Sequence, residues 1–150
     1  MERPIYPHQA FDKGVICPIC YSGEIGKVLR TTANVVASLQ LLGDKRQEYF
    51  VCLSLDSNRR LLTQRIITVG LLDATLVHPR EVFAGAIADR AHSVIVAHNH
   101  PSGVPKPSID DIETTRQLLA ASKVLGVPIK DHIIITEESY FSFKEHHMLS

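Results

Sequence analysis

Five residues, Ser93-Val94-Ile95-Val96-Ala97, form a short apolar run that leads straight into His98-Asn99-His100. A strand with one wet face would alternate, so an unbroken run of this length reads as a strand covered on both faces. With strands and helices alternating along the chain, that central strand points to a layered α/β domain. The flanking segments agree. A helix is predicted from Thr32, capped by a threonine or Asn34, with Val35, Val36, Leu39 and Leu42 on its apolar face and Gly43 as its end. Glu48 to Leu55 alternates, with Tyr49, Val51, Leu53 and Leu55 on one side, as a strand does. Asp56-Ser57-Asn58 is turn chemistry, and a second strand runs from about Leu61 to Val69, closed by Gly70. Pro79 suits the first position of a helix whose buried stripe is Val82, Phe83, Ala86 and Ile87. A helix over Ser108 to Leu125 stops at Gly126, and strands follow at Ile129 to Thr136 and at Tyr140 to Phe143.

The chain has 150 residues, a single-domain length, and 45% hydrophobic content is enough for a buried core without disulfides. Residues 1–30 carry Pro4, Pro7 and Pro18 with Gly14, Gly23 and Gly26, and no periodicity. They are read as an irregular N-terminal arm, with the domain proper over 31–150. Sixteen basic residues balance sixteen acidic ones, so the net basic footprint of a duplex-binding protein is missing and tight nucleic-acid binding is not expected. Arg59, Arg60 and Arg65 are the local basic patch to consider. No apolar run approaches the roughly 18–20 residues that span a bilayer. Met1 to Ala10 lacks the basic head and apolar core of a secretory signal, and three cysteines make no framework. A cytoplasmic protein is expected.

The chemistry concentrates after the apolar run. Residues i and i+2 of an extended chain project to one face, so the imidazoles of His98 and His100 can converge on one point. A loop holding Pro101, Pro105 and Pro107 then leads to Ser108, with Asp111 in the first turn of the next helix. Two imidazoles and a carboxylate leave a fourth tetrahedral position open, the layout of a catalytic rather than a structural zinc site. The same letters carry a plainer reading, since Ser108 and Asp111 also form a capping box that needs no metal.

His98-Asn99-His100, seven residues, Ser108, two residues and Asp111 resemble the JAMM motif of the MPN-domain metalloproteases, a group that includes deubiquitinating enzymes. Val77-His78-Pro79-Arg80-Glu81, His98 to Gly103, Pro107-Ser108 and Asp131-His132-Ile133-Ile134 resemble the bacterial RadC-like (UPF0758) branch over about residues 34–147. The resemblance implies a three-layer MPN fold, a curved mixed sheet between helices with a core similar to that of cytidine deaminases. It implies one zinc ion per chain on His98, His100 and Asp111. Glu48 matches the family's upstream acid and takes the implied role of general base toward a zinc-activated water. Ser108 takes that of hydrogen-bond donor to the oxyanion. The implied activity is hydrolysis of a peptide or isopeptide-type amide in a peptide or protein substrate. The rival expectation is a non-catalytic zinc-containing binding module linked to DNA repair or mobile elements.

Longer members of that branch carry an N-terminal helix-hairpin-helix region, which residues 1–30 are too short to supply. Cys17-Pro18-Ile19-Cys20 has the spacing of half a zinc ribbon or of a redox pair, with His8 as a further candidate ligand, but the matching pair of cysteines is absent and the motif is set aside. Cys52 is read as a small buried residue. The nucleobase-deaminase signature, His-x-Glu with Pro-Cys-x-x-Cys, is absent. Asn99 and Ser102 are expected to orient the ligands. His78 is assigned to a helix start, His132 to the sheet, and His146 and His147 to a solvated tail.

Overall fold

The computed structural model describes residues 25–70 and 77–149. Strands β1 (Glu48–Leu55), β2 (Leu61–Gly70), β3 (Ser93–Asn99), β4 (Ile129–Ile135) and β5 (Tyr140–Ser142) form one mixed sheet in the order β2-β1-β3-β4-β5. Helices α1 (Thr32–Ser38), α2 (Gln40–Gly43), α3 (Pro79–Ala88) and α4 (Ile109–Leu125) pack around it. β1 and β2 are an antiparallel hairpin whose turn is organised by Asp56. Its Oδ1 accepts the backbone N–H groups of Asn58 and Arg60, both at 2.8 Å, and Arg59 takes the left-handed conformation between them.

β3 is buried at every position, as its unbroken apolar run requires. It pairs antiparallel with β1 and parallel with β4, and the parallel step is made by the long crossover through α4. Each face of the sheet has its own core. Val51, Leu53, Leu55, Ala97 and Ile133 pack with Val35, Leu39 and Leu42 from the α1–α2 segment. Phe50, Cys52, Val94 and Val96 pack with Val82 and Phe83 of α3 and Leu118 of α4. The three-layer α/β arrangement expected from the sequence is therefore present. Cys52 lies inside the second core, where burial pushes its thiol up to about 12.

The helix expected to run unbroken from Thr32 to Gly43 is two short helices instead. It breaks at Leu39, whose backbone leaves the helical region while its side chain is 1% exposed. Val35, Leu39 and Leu42 all enter one core, and packing overrides the local preference for a continuous helix. Gly43 is the last residue of α2, as expected, and has a packing role besides. Its φ is not positive, but a Cβ there would lie 2.7 Å from the Thr136 carbonyl oxygen, so glycine permits α2 to touch the end of β4. Gly126, by contrast, does end α4 in the left-handed conformation, with φ 70°.

Residues 1–24, and with them Cys17, Cys20 and most of the expected arm, lie outside the described residues. The end of that arm is part of the packed domain. Leu29 is fully buried, and Gly26 and Leu29 donate backbone hydrogen bonds to Leu61 and Arg59, both at 2.8 Å. Arg59, Arg60 and Arg65 do not make one patch. Arg59 and Arg60 donate to the carbonyls of Arg30 and Gly26, whereas Arg65 pairs with Asp89 beyond the end of α3. No helix among the described residues is long and apolar enough to cross a membrane.

Replacing Gly43 with alanine is expected to destabilise the fold by about 1–3 kcal/mol, the usual cost of overpacking, outweighing alanine's better helix propensity. Urea unfolding checks this: the midpoint should fall with an unchanged slope, whereas an unchanged or higher midpoint would remove the close approach as the reason for glycine.

Candidate metal centre

The register of the central strands decides what meets at the end of β3. Phe50 of β1 stands opposite His98, and Cys52 opposite Val96, so these side chains share the face that packs on α3 and α4. Alternation carries that face two residues onward from His98 to His100 and two residues back in β1 to Glu48. α4 crosses the same face and brings Asp111 in its first turn.

Three side chains from two segments converge there. His98 Nε2 lies 3.0 Å from His100 Nε2 and 3.0 Å from Asp111 Oδ1, and His100 Nε2 lies 3.1 Å from Asp111 Oδ2. One ligand atom from each residue falls within 4.8 Å of the others, and His98 and Asp111 are buried. The capping box is also real. Ser108 Oγ accepts the Asp111 N–H at 3.1 Å, while Asp111 Oδ2 accepts the Ser108 N–H at 2.7 Å. The capping reading is therefore present, and the same carboxylate faces both histidines because the cap turns Asp111 toward them.

The donor set suits a cation. His100 Nδ1 lies 2.8 Å from the Val104 carbonyl oxygen, which can only accept, so Nδ1 carries the proton and a neutral His100 aims its Nε2 lone pair inward. An imidazole lone pair beside a carboxylate repels it unless a proton or a metal ion stands between them. Burial opposes charge on Asp111, but the imidazoles of His100 at 3.1 Å and His98 at 3.0 Å outweigh it and hold the carboxyl well below the usual carboxylate range. Burial likewise opposes charge on His100. The bond to Asp111, the Val104 carbonyl and the charges of Asp111 and Glu48 outweigh it and raise its pKa. Glu48 is half-buried at the strand start, near enough for its charge to act on His100.

Asn99 and Ser102 do not orient the imidazoles as expected. Alternation turns Asn99 to the opposite face, where its Oδ1 accepts the Tyr49 N–H at 2.7 Å and its Nδ2 donates to the carbonyls of Gln47 at 2.9 Å and Lys45 at 3.3 Å. It clamps the chain on both sides of Glu48. Ser102 is exposed, and its hydroxyl accepts the Val104 N–H. His78 caps α3, its Nδ1 accepting the Arg80 N–H.

The residue that sequence reasoning undervalued is His132. It is fully buried, its Nε2 is 2.8 Å from His98 Nδ1, and its Nδ1 is 2.6 Å from Thr115 Oγ1. Its ring stacks on Phe143 and meets Phe50 edge-on, and burial lowers its pKa well below the usual value. Strict alternation would put Ile129 and His132 on opposite faces of β4. A register shift between Val94 and Ile95 puts both on the α4 side, and no letter in the sequence marks that bulge.

A sequence profile described as a RadC-like JAB domain matches residues 29–148. A UPF0758 protein of Protochlamydia amoebophila is 47% identical over 108 residues, covering 72% of this chain and 47% of the relative. One from Methanospirillum hungatei is 50% identical over 103 residues, covering 69% and 46%, and one from Bacillus licheniformis is 44% identical over 108 residues, covering 70% and 48%. The chain spans a little under half the length of these relatives.

Asn99→Ala is expected to lower stability by roughly 1–3 kcal/mol, because it leaves the Tyr49 N–H without its acceptor. Hydrogen exchange should quicken at Tyr49 more than in β4. Uniform quickening across the sheet would show that Asn99 supports the core rather than the strand start.

Proposed function

The chain belongs to the RadC-like JAB domain family, and from that premise we propose that it is a zinc-dependent amide hydrolase acting on a peptide or protein. The observation that carries the reading is the triangle of His98 Nε2, His100 Nε2 and the Asp111 carboxylate, with sides of 3.0 to 3.1 Å. Two imidazoles and one carboxylate suit zinc and leave a fourth position for water or substrate. These three residues would hold the ion, which supplies Lewis acidity that acidifies a water and polarises a carbonyl.

The protein's own residues supply the proton handling. Glu48 faces the site from the head of β1 and serves as general base, taking a proton from the attacking water and passing it to the leaving amine. Asn99 holds the backbone on either side of it, so the strand start does not have to be ordered when substrate arrives. Ser108 Oγ accepts the Asp111 N–H, which leaves the hydroxyl proton available to hydrogen-bond an oxyanion at the exposed start of α4. His98 is fully buried with its ring stacked on Phe50, a packing that holds the imidazole in place.

Metal analysis with a peptide-library cleavage screen tests the proposal. Purified protein should carry about one zinc per chain; Asp111→Ala should lose it and Glu48→Gln should keep it. Against any cleaved peptide, Glu48→Gln should reduce kcat on the order of 10²–10⁴-fold, with metal content and melting temperature unchanged. Wild-type turnover in Glu48→Gln would remove Glu48 as the base. Zinc binding with no cleaved peptide would favour a zinc-containing binding module, and full zinc occupancy in a His98/His100 double variant would move the metal elsewhere.

A further inference from the structure

We propose that Thr115 and His132 form a one-way hydrogen-bond relay that fixes the tautomer of His98, so that its Nε2 lone pair faces the metal position before any ion arrives. The inference rests on the metal site proposed above and assigns positioning roles to two residues outside it.

The direction of each hydrogen bond follows from the α4 end. Thr115 has one hydroxyl proton, and its Oγ1 lies 2.7 Å from the backbone carbonyl oxygen of Asp111, which can only accept. With that proton committed, Thr115 Oγ1 is an acceptor toward His132 Nδ1 at 2.6 Å, so His132 carries its proton on Nδ1. A neutral imidazole has one N–H, which leaves the Nε2 of His132 as an acceptor. His98 Nδ1 lies 2.8 Å away and must be the donor, and in the neutral imidazole the lone pair of His98 falls on Nε2, inside the triangle. The opposite polarity would place a proton on His98 Nε2, 3.0 Å from both His100 Nε2 and Asp111 Oδ1, where it blocks the position an ion would take.

The surroundings hold the relay in line. His132 is fully buried, its ring 4.7 Å from that of Phe143 at an interplanar angle of 8° and 5.7 Å from that of Phe50 at 70°. Neither phenyl ring competes as a hydrogen-bond partner, so the imidazole has Thr115 on one side and His98 on the other. His100 needs no such relay, because the Val104 carbonyl fixes it directly. The two histidines are thus set by separate devices, one from the loop and one from α4 through β4. The relay begins at the carbonyl of Asp111, the third ligand, which ties the orientation of His98 to the helix that carries the carboxylate.

Nitrogen-15 NMR of the metal-free protein at about pH 8, where ordinary imidazoles are neutral, reads the tautomers directly. Both His98 and His132 should carry their proton on Nδ1. Thr115→Val removes the acceptor while keeping the shape, and should free His132 to take the other tautomer. Zinc affinity, measured against a competing chelator, should then fall roughly 10–100-fold, the usual effect of losing an outer hydrogen-bond partner of a metal ligand. Thr115→Ser, which keeps the hydroxyl, should restore both the tautomer and the affinity to within a few-fold of wild type. A purely structural role for Thr115 would lower the melting temperature of the metal-free protein without changing zinc affinity. An Nε2–H tautomer on His98 or His132 in the wild type overturns the relay, as does unchanged affinity in Thr115→Val. The wild-type tautomers decide the matter even where a variant fails to fold. A wild type that takes up no zinc overturns the metal site itself, whereas wrong tautomers with zinc bound overturn the relay alone.

Discussion

Burial of β3 on both faces, with a strand on each edge, is the constraint from which the rest of this domain follows. Its backbone is paired with β1 on one side and β4 on the other, and each face is covered by its own core. A polar side chain at its end therefore has two choices: find a partner or remain unsatisfied at a cost of about 1–3 kcal/mol. His98 and Asn99 both find partners, on opposite faces, and the two sets of partners define the site. His98 meets Asp111 and His132 on the α4 face, and Asn99 captures the strand that carries Glu48 on the other.

This division explains why adjacent letters do different work. Asn99 sits between two candidate ligands yet points away from both, because a strand sends neighbouring side chains to opposite sides. What it contributes is placement, through three hydrogen bonds to residues 45, 47 and 49. Asp111 shows the converse, one side chain with two duties. Its carboxylate caps α4 through the Ser108 N–H and faces both histidines, so the helix start and the candidate metal position cannot be displaced independently.

The proposed site is consequently assembled on three supports that differ in kind. The histidines stand at the end of a buried strand, the carboxylate on a capped helix, and the base on a strand start held by a side chain. Rigid supports of this sort keep donor atoms near their working geometry without drawing on binding energy to order them. The relay through His132 extends the same logic, since a ligand with the wrong tautomer is as useless as one in the wrong place.

The sequence by itself determined the layered α/β class, the strand that had to be central, the capping box and the convergence of His98, His100 and Asp111. Each rests on local rules, a side-chain period of two in a strand and a cap at a helix start, that the letters express directly. The match to residues 29–148 then agrees with the family that those letters resembled. Tertiary structure alone decided the break at Leu39, the contact that requires Gly43, the partners of Asn99 and the place of His132. These depend on which segments are pressed together and on a register shift in the β3–β4 pairing. His132 and His98 are separated in the chain by the whole of α4, and only the fold makes their rings neighbours. Long-range contact is a property of packing, and for that reason no window of sequence contains it.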